Sequence, residues 1–256
     1  MIDARAIVAA GAQLAADIEV GPYAVIGPDV VIGPRCWVGP HVVIDGQTRI
    51  GADNKIYQAA SIGAAPQDKK YGGGPTRLVI GERNVFREFC TINRGATPDH
   101  GLTHIGDDNL FMAYTHVAHD CTIANNVVMV NYAGLAGHVE LGDWVILSGY
   151  TGVHQFCKIG AHAFTAALSG VTRDVPPYIM AVGQPAVPHS INSEGLKRRG
   201  FSPEQIRNLR HAYRILYRSE LPLAAAVAQL AALAPTQPEL TTLLDFIAAS
   251  ERSLIR

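Results

Sequence analysis

The 256-residue chain carries no excess of charge of either sign, because 21 Lys and Arg residues are balanced by 22 Asp and Glu residues. A nucleic-acid-binding surface needs an excess of positive charge, so no nucleic-acid partner is expected. Charged residues make up 17% and hydrophobic residues 48% of the chain. This composition is typical of a folded globular protein and excludes a disordered one.

Long apolar runs are also missing. No uninterrupted apolar segment reaches about 18 residues, the length needed to span a bilayer, so no integral membrane segment is expected. A patterned segment already starts at Ile2, which leaves no room for a signal peptide before it. We therefore expect a cytoplasmic protein.

Cysteine is scarce, with four residues and no Cys-x-x-Cys pair. Cys36, Cys90, Cys121 and Cys157 all occupy the same position of a six-residue repeat, where the residue is usually small. This placement favours buried core residues over disulfides or a cysteine-bound metal.

What the sequence does contain is a bulky apolar residue at every sixth position. The first run consists of Ile2, Val8, Leu14, Val20, Ile26, Ile32, Val38, Ile44, Ile50, Ile56 and Ile62. Ile80, Phe86 and Ile92 keep this register, and the repeat resumes one residue out of phase from Ile105 to Val171. Neither a helix nor a single long strand has a period of six. Short strands separated by tight corners do, and stacking them predicts a parallel β-helix.

The corners of the predicted coil have their own composition. Gly often follows the bulky residue, as at Gly21, Gly27 and Gly33. We interpret these glycines as corner residues whose backbone conformation would penalise a Cβ.

Two segments interrupt the repeat, at about 64–77 and 93–103, and both are polar and contain Gly and Pro. We expect each to leave the coil as a surface loop. Loops on a rigid scaffold often carry binding groups, although tolerated insertions without a function remain an alternative.

The pattern changes near Pro185 and Pro188. Ser202, Pro203 and Gln205 supply an N-cap, a proline at the first helical position and a capping-box glutamine. Two more helices, rich in Ala and Leu, are predicted over 222–233 and 238–250. The chain should therefore be an all-β solenoid over 1–188, followed by a C-terminal α-helical domain over 189–256. Flat solenoid sides can be covered by packing around a threefold axis, so we expect a homotrimer.

Five of the ten histidines lie between residues 116 and 162. With three repeats per turn, residues 18 apart stack at roughly the 4.8 Å strand spacing. This places Asp120 beneath His138, and His119 in one column with Gly137 and Gln155. The sequence thus predicts a polar pocket on one edge of the prism.

Three interpretations of this pocket stay open on spacing alone. A neutral imidazole with an Asp partner suits a general base of a transferase. Histidines facing an interface can instead hold a catalytic zinc, as in γ-class carbonic anhydrases on a similar scaffold. The histidines could also merely form hydrogen bonds between turns.

Seven motifs make the chain resemble the UDP-N-acetylglucosamine O-acyltransferases, hexapeptide-repeat enzymes that carry out the first committed step of lipid A biosynthesis. The resemblance covers essentially the whole chain. The motifs are SIG at 61–63, PQDKKY at 66–71, VAHDCT at 117–122, LAGHV at 135–139, TGVHQFC at 151–157, VPPY at 175–178 and NSEGLKRRGF at 192–201.

The resemblance implies a left-handed parallel β-helix and a homotrimer with active clefts between subunits. It implies transfer of an (R)-3-hydroxyacyl chain from acyl carrier protein to the 3-hydroxyl of UDP-N-acetylglucosamine. His119 would be the general base, Asp120 would orient it, and the Gly137 N–H would stabilise the oxyanion. No metal and no resident cofactor is implied, since the carrier protein brings its own phosphopantetheine.

The resemblance also implies binding residues. Asp68 and Lys70 would contact the sugar nucleotide or the thioester region. The sugar and pantetheine contacts would be His116, His138, His154 and Gln155. The uridine and diphosphate contacts, contributed across the subunit boundary, would be Asn192, Glu194, Arg198 and Arg199.

Two further positions concern the acyl donor. Ala167 occupies the family's acyl-length position, where Gly leaves room for a long chain, so a somewhat shorter chain is expected. Arg207, Arg210 and Arg214 form a basic stripe on one helix, which suits docking of an acidic carrier protein or simply a soluble helix surface. Asn93 stands where related enzymes commonly carry His, and no catalytic role is expected for it.

Three alternatives have different signatures. The related N-acyltransferase of the same pathway usually has an additional N-terminal domain, whereas the coils here start at Ile2. A γ-class carbonic anhydrase would contain stoichiometric zinc. A non-catalytic scaffold would not need the predicted density of His, Asp and Arg around one cleft.

Overall fold

The computed structural model describes residues 1–97 and 100–256. Over these residues, short strands follow one another around a three-sided coil, and each turn of the chain adds one strand to each of three sheets. Because most strands are only two residues long, a strand and the corner after it account for the six-residue repeat.

The strands share this short length and, up to β26, a parallel arrangement. In chain order they are β1 (Ile7–Val8), β2 (Gln13–Leu14), β3 (Glu19–Val20), β4 (Val25–Ile26), β5 (Val31–Ile32), β6 (Trp37–Val38), β7 (Val43–Ile44), β8 (Gln47–Ile50), β9 (Lys55–Ile56), β10 (Ser61–Ala64), β11 (Arg77–Ile80), β12 (Val85–Phe86), β13 (Thr91–Asn93), β14 (Leu102–Ile105), β15 (Leu110–Phe111), β16 (His116–Val117), β17 (Thr122–Ile123), β18 (Val128–Met129), β19 (Gly134–Leu135), β20 (Glu140–Leu141), β21 (Ile146–Leu147), β22 (Gly152–Val153), β23 (Lys158–Ile159), β24 (Phe164–Thr165), β25 (Gly170–Val171), β26 (Ile179–Val182) and β27 (Val187–Ile191).

Within the described residues the three sheets contain nine, eight and ten strands. The first sheet runs from β1 through β4 to β25, the second from β2 through β5 to β23, and the third from β3 through β6 to β26 and β27. We call the corners where the chain passes between sheets edge 1–2, edge 2–3 and edge 3–1. Equivalent residues of successive coils therefore form columns along each edge.

The register confirms the predicted stacking. His116 pairs with Gly134, which in turn pairs with Gly152, at the expected separation of 18 residues. The bulky residues of the repeat point into the coil, and Ile44, Ile62 and Ile92 are fully buried. Burying each such side chain stabilises the fold by about 1.5–3 kcal/mol, so the column of apolar residues is the core.

The interpretation of the repeat glycines was wrong for Gly21, Gly27 and Gly33, none of which has a positive φ, although Gly63 does, with φ 81°. At most corners the residue with positive φ is the third after the bulky one and is not Gly, as at Tyr132 with φ 63°. The glycines are needed for close approach between coils instead. A Cβ on Gly33 would lie 2.8 Å from the Gly51 carbonyl carbon, and one on Gly51 would lie 2.5 Å from the Gly81 oxygen.

All four cysteines are free and buried, as predicted for small core residues. Burial raises the pKa of the Cys121 thiol to about 12. This thiol therefore stays protonated, and its sulfur donates to the Ala136 carbonyl oxygen.

Both interruptions of the repeat leave the coil at edge 1–2. The first lies between β10 and β11, and the second lies between β13 and β14. Residues 98 and 99 of the second predicted loop lie outside the described residues. Because both loops follow strands of the first sheet and precede strands of the second, they flank the same edge.

The C-terminal region begins with β26 and β27, which pair antiparallel. The helices that follow are α1 (Ser193–Arg198), α2 (Pro203–Arg218), α3 (Leu223–Leu233) and α4 (Leu240–Ala248), with a 3₁₀ turn at Ala234–Thr236. The capping box predicted at Ser202 is present, with Gln205 as its partner. None of the helices in the described ranges is both long and apolar enough to cross a membrane.

The chain end returns to the coil. The Ile255 N–H donates to the Asp174 carbonyl oxygen, and the Ser250 hydroxyl donates to the Asp174 carboxylate. Asp174 is fully buried on edge 1–2, so the helical region is tied to the last coil.

Candidate active site

A cavity of about 670 Å³ opens on edge 1–2, between the coil and the two loops. It combines groups from the coil corners with groups from both loops. Its lining residues are Gln67, Asp68, Lys70, Asn93, Thr97, Ala118, His119, Ala136, Gly137, His138, Gln155 and Phe156.

The corner backbone has the same conformation at the cavity-lining His138 and at the buried Asp120. Asp120 and His138 both have φ near +60°, at 58° and 62°. Asp and His tolerate this left-handed region better than most residues. The same corner geometry that forms the coil thus places a carboxylate and an imidazole on edge 1–2.

His119 and Asp120 form a hydrogen-bonded pair, with 2.8 Å between the imidazole Nδ1 and the carboxylate Oδ2. The Asp120 side chain is completely buried, whereas 15% of His119 is exposed. A carboxylate only accepts, so Nδ1 donates and the lone pair of His119 is on Nε2. This arrangement provides a base with a fixed tautomer.

Asp120 also holds the second loop. Its carboxylate accepts the Ala96 N–H at 3.0 Å and the Leu102 N–H at 3.2 Å. These two donors stand at the two ends of the loop. The Asp120 N–H in turn donates to the Thr103 hydroxyl. One buried carboxylate therefore fixes both the base and the loop beside it.

Gly137 lies in the next coil against the His119 ring. A Cβ at this position would be 2.7 Å from Cε1 and 2.8 Å from Nε2 of His119. In the part of the chain that the structure describes, the Gly137 N–H takes part in no backbone hydrogen bond. The absence of a side chain lets the imidazole pack against the Gly137 backbone.

His138 belongs to the same cluster. Its Nε2 is 4.0 Å from the Asp120 carboxylate, and its ring meets the His119 ring edge-on at 5.3 Å. Phe156 stacks on it from the next coil at 4.4 Å. His119, Asp120 and His138 place one potential metal-ligand atom each within 4.8 Å of one another. This set contains two histidines and an aspartate of one chain, not the three histidines of the zinc interpretation.

The first loop brings Asp68 and Lys70 to the cavity, and the Lys70 N–H donates to the Asp68 carboxylate at 2.9 Å. Gln155 lines the cavity as well. The structure thus places the predicted loop residues, which lie about fifty residues before His119 in sequence, beside the His119–Asp120 pair.

His116 and His154 lie outside this cavity in the single chain. His116 points outward from the first sheet and forms a 2.7 Å hydrogen bond with the Thr91 hydroxyl. Burial lowers its pKa, which favours the neutral ring. His154 is exposed, and its Nδ1 lies 3.0 Å from the Arg252 guanidinium. Sequence reasoning missed Arg252, because 98 residues separate the two.

Asn93 lines the cavity, although no catalytic role was expected for it. It is only 3% exposed, and its side-chain amide donates to the carbonyl oxygens of Ala64 and Ala65. Its own oxygen has no hydrogen-bond partner within the described ranges. Its place at the start of the second loop was a sequence signal that could have assigned Asn93 to this cavity.

The predicted nucleotide-binding residues lie elsewhere, on edge 2–3. Asn192 caps α1, and Arg199 contacts Trp144 and His162 of that edge. Arg198 and Glu194 are exposed, and Glu194 pairs with Lys197 at 2.7 Å. A single chain does not bring this group to the His119 cavity.

The residues of the two predictions about the acyl donor lie on exposed surfaces. Ala167 follows β24 at edge 3–1 and does not line the cavity of its own chain. Arg207, Arg210 and Arg214 are exposed on α2, and Arg210 donates to the Ser193 hydroxyl. The stripe predicted on this helix is therefore present on its surface.

The chain resembles known proteins over its whole length. The family model described as "Udp N-acetylglucosamine O-acyltransferase; Domain 2" matches residues 174–255, and a model of six bacterial transferase hexapeptide repeats matches residues 102–137. The acyl-[acyl-carrier-protein]–UDP-N-acetylglucosamine O-acyltransferase of Thiobacillus denitrificans is 57% identical over 255 residues, covering 100% of this chain and 99% of the relative.

Solved structures agree. The Francisella novicida UDP-N-acetylglucosamine acyltransferase superposes with a TM-score of 0.98 at 41% identity, covering 100% of this chain and 94% of that one. The Moraxella catarrhalis UDP-N-acetylglucosamine O-acyltransferase gives 0.98 at 42% identity, with coverages of 100% and 99%. These matches confirm the predicted fold class, a left-handed parallel β-helix with a C-terminal helical region. The chain belongs to the acyl-[acyl-carrier-protein]–UDP-N-acetylglucosamine O-acyltransferase family.

Proposed function

We propose that this chain transfers an (R)-3-hydroxyacyl group from acyl carrier protein to the 3-hydroxyl of UDP-N-acetylglucosamine, as the first step of lipid A biosynthesis. The observation that carries the proposal is the His119–Asp120 pair on the cavity, with a 2.8 Å hydrogen bond and a buried carboxylate. This is the arrangement that a general base for a hydroxyl acceptor requires.

The proposed reaction uses this geometry. The Nε2 of His119 takes the proton of the sugar hydroxyl while the oxygen attacks the thioester carbonyl. The N–H of Gly137, whose backbone packs against the imidazole, donates to the oxyanion of the tetrahedral intermediate. When the intermediate collapses, the C–S bond breaks and His119 returns the proton to the departing pantetheine sulfur.

Asp120 has two roles in this proposal. It keeps the Nδ1 proton in place, and its negative charge stabilises the imidazolium that forms during the reaction. The phosphopantetheine arrives on the carrier protein, so the reaction needs no resident cofactor. The proposed contacts on the substrates are Asp68, Lys70, His138 and Gln155.

Assembly as a homotrimer is supported by the surface of the third sheet. Its outward residues form an apolar column of half-buried side chains: Val85, Leu110, Val128, Ile146 and Phe164. Along the adjoining edge 3–1, Tyr114, Tyr132 and Tyr150 stack at about 5 Å and remain about half exposed. Covering these residues with neighbouring copies removes a continuous apolar surface from water.

A trimer also explains why the His119 cavity and the predicted nucleotide-binding residues lie on different edges of one chain. Edge 1–2 of one copy and edge 2–3 of its neighbour would together form one complete site. Mixing His119→Ala subunits with Arg199→Ala subunits should then restore part of the activity, because some clefts combine the intact halves. Two inactive variants that stay inactive after subunit exchange would contradict a shared cleft.

The proposed function is tested with purified protein, UDP-N-acetylglucosamine and (R)-3-hydroxyacyl carrier proteins of several chain lengths. Mass spectrometry should detect a 3-O-acyl product with the wild type and far less product with His119→Ala. A folded wild type that forms no product at any chain length would contradict the proposal.

A further inference from the structure

His162 is held between aromatic rings on edge 2–3. Its ring is nearly parallel to Trp144, with centroids 6.5 Å apart, and to Tyr178, with centroids 5.6 Å apart. Phe201 meets it edge-on at 5.1 Å. Because these neighbours fix the ring plane, the two ring nitrogens point in fixed directions.

The fixed ring contacts the segment that carries the proposed nucleotide-binding residues. The Arg199 Nη1 lies 3.2 Å from His162 Nδ1, and its guanidinium carbon lies 5.1 Å from the centre of the Trp144 ring. The Asn192 side-chain amide donates to the His162 carbonyl oxygen at 3.0 Å. His162 therefore contacts Asn192 and Arg199, two of the four residues proposed to bind the nucleotide.

The contact with Arg199 requires a neutral His162. A guanidinium only donates, so Nδ1 must accept and the ring proton must be on Nε2. The charged or titratable groups around the ring are Arg199, Asp143 and Tyr178. Burial, followed by the Arg199 charge, lowers the pKa of His162 to about 4. The ring is thus neutral near pH 7 and provides the acceptor.

We propose that the ring of His162 is a positioning group, which orients Arg199 to bind the uridine diphosphate part of the sugar nucleotide, beside an Asn192 held by the His162 carbonyl. This inference rests on the proposed function, since it takes the nucleotide sugar as the ligand. Arg199 follows the short helix α1, and a long side chain there has many rotamers. A fixed acceptor limits them before the ligand arrives, which lowers the entropic cost of binding.

His162→Phe tests this role with little risk to the fold. Phe89 and Phe156 occupy equivalent corner positions with φ of 60° and 65°, close to the 62° of His162. A Phe can therefore keep both the backbone and the aromatic stack while it removes the acceptor. The matched control is His41→Phe, because His41 also has a positive φ of 57° and stacks on Tyr23 at 5.1 Å in an early coil.

The readout is the Kd of UDP measured by titration calorimetry, which needs no acyl transfer. We expect His162→Phe to bind UDP about tenfold more weakly, as for loss of one hydrogen bond to a charged group. His41→Phe should bind it as the wild type does. The KM for UDP-N-acetylglucosamine should rise in parallel, while kcat and the KM for acyl carrier protein stay within about twofold.

A double-mutant cycle with Arg199→Ala separates positioning from a direct contact. If His162 acts through Arg199, then His162→Phe should weaken UDP binding little further once Arg199 is Ala. Wild-type affinity in His162→Phe, or losses that multiply in the double variant, would overturn the inference. So would a wild type that binds no UDP. Wild-type protein that binds UDP but forms no acyl product would instead contradict the proposed function alone.

Acid pH gives a second readout. As pH falls toward about 4, His162 becomes protonated and its Nδ1 can no longer accept the Arg199 N–H. The UDP affinity of the wild type should therefore fall more steeply than that of His162→Phe. The ratio of the two affinities removes the titration of the nucleotide phosphate itself, with a pKa of about 6. A constant ratio down to the pH at which the wild type unfolds would contradict the acceptor role.

Discussion

Asp120→Asn separates the two roles of the buried carboxylate. Oδ2 accepts from both His119 Nδ1 and the Ala96 N–H, whereas Oδ1 accepts from the Leu102 N–H at the longer distance of 3.2 Å. An Asn must place its NH₂ group on one of these sides. With NH₂ toward Leu102, one buried donor loses its acceptor, which costs about 1–3 kcal/mol.

The opposite orientation is worse. The NH₂ would face the Ala96 N–H, and His119 Nδ1 would have to accept, which moves the imidazole proton to Nε2 and removes the base. The orientation with NH₂ toward Leu102 should therefore be the more stable one. The tautomer of His119 then survives, but the negative charge that stabilises the imidazolium is lost. We expect kcat to fall by about 100-fold, the lower end of the range for impaired general-base catalysis.

The assay measures kcat and both KM values, together with the free energy of unfolding from urea titration. The matched control is Asp174→Asn, a fully buried carboxylate of the same edge that accepts the Lys158 N–H and the Ser250 hydroxyl. It should lose a similar or smaller amount of stability and keep its kcat. The reasoning is refuted if Asp120→Asn keeps more than half of the wild-type kcat. It is also refuted if Asp174→Asn lowers kcat as much as Asp120→Asn does.

Three further predictions concern single features of the site and its surroundings. Gly137→Ala should lower kcat roughly 100-fold or more, because the new Cβ displaces the imidazole of the proposed base, His119; wild-type kcat in a folded variant would contradict this contact. Ala167→Gly should shift the preferred acyl chain to a greater length, and Ala167→Met should shift it to a shorter one. The assay uses acyl carrier proteins that bear acyl chains of ten to about sixteen carbons, and an unchanged preference in both variants would refute the length role. Replacing Arg207 and Arg214 by Glu should raise the KM for acyl carrier protein and leave that for UDP-N-acetylglucosamine unchanged; equal KM values for the carrier protein before and after would exclude docking on this stripe.

The repeat made much of the site predictable. Because equivalent residues recur at a fixed spacing, the contact between His119 and Gly137 could be expected from their separation of 18 residues in sequence. The same arithmetic located Asp120 beneath His138. It did not reveal why Gly occurs after the bulky residue, since the spacing cannot distinguish a strained backbone conformation from a close approach between coils such as that at Gly33.

Contacts across the junction with the helical region could not be predicted in this way. The contact between His162 and Arg199 joins residues 37 apart, and the contact between His154 and Arg252 joins residues 98 apart. Neither pair is linked by the period of the repeat. These contacts depend on how the helices pack back on the last coils, which no local pattern in the sequence specifies.

The central claim is that His119 removes the proton from the acceptor hydroxyl, and chemical rescue tests it most directly. We predict that His119→Ala lowers the rate of acyl transfer by roughly 10²–10⁴-fold, and that added imidazole restores part of it in proportion to its neutral form. His154→Ala, with its histidine outside the cavity of its own chain, serves as the comparison and should not respond to imidazole. His119→Ala turning over within about threefold of the wild type, without imidazole, would contradict the account.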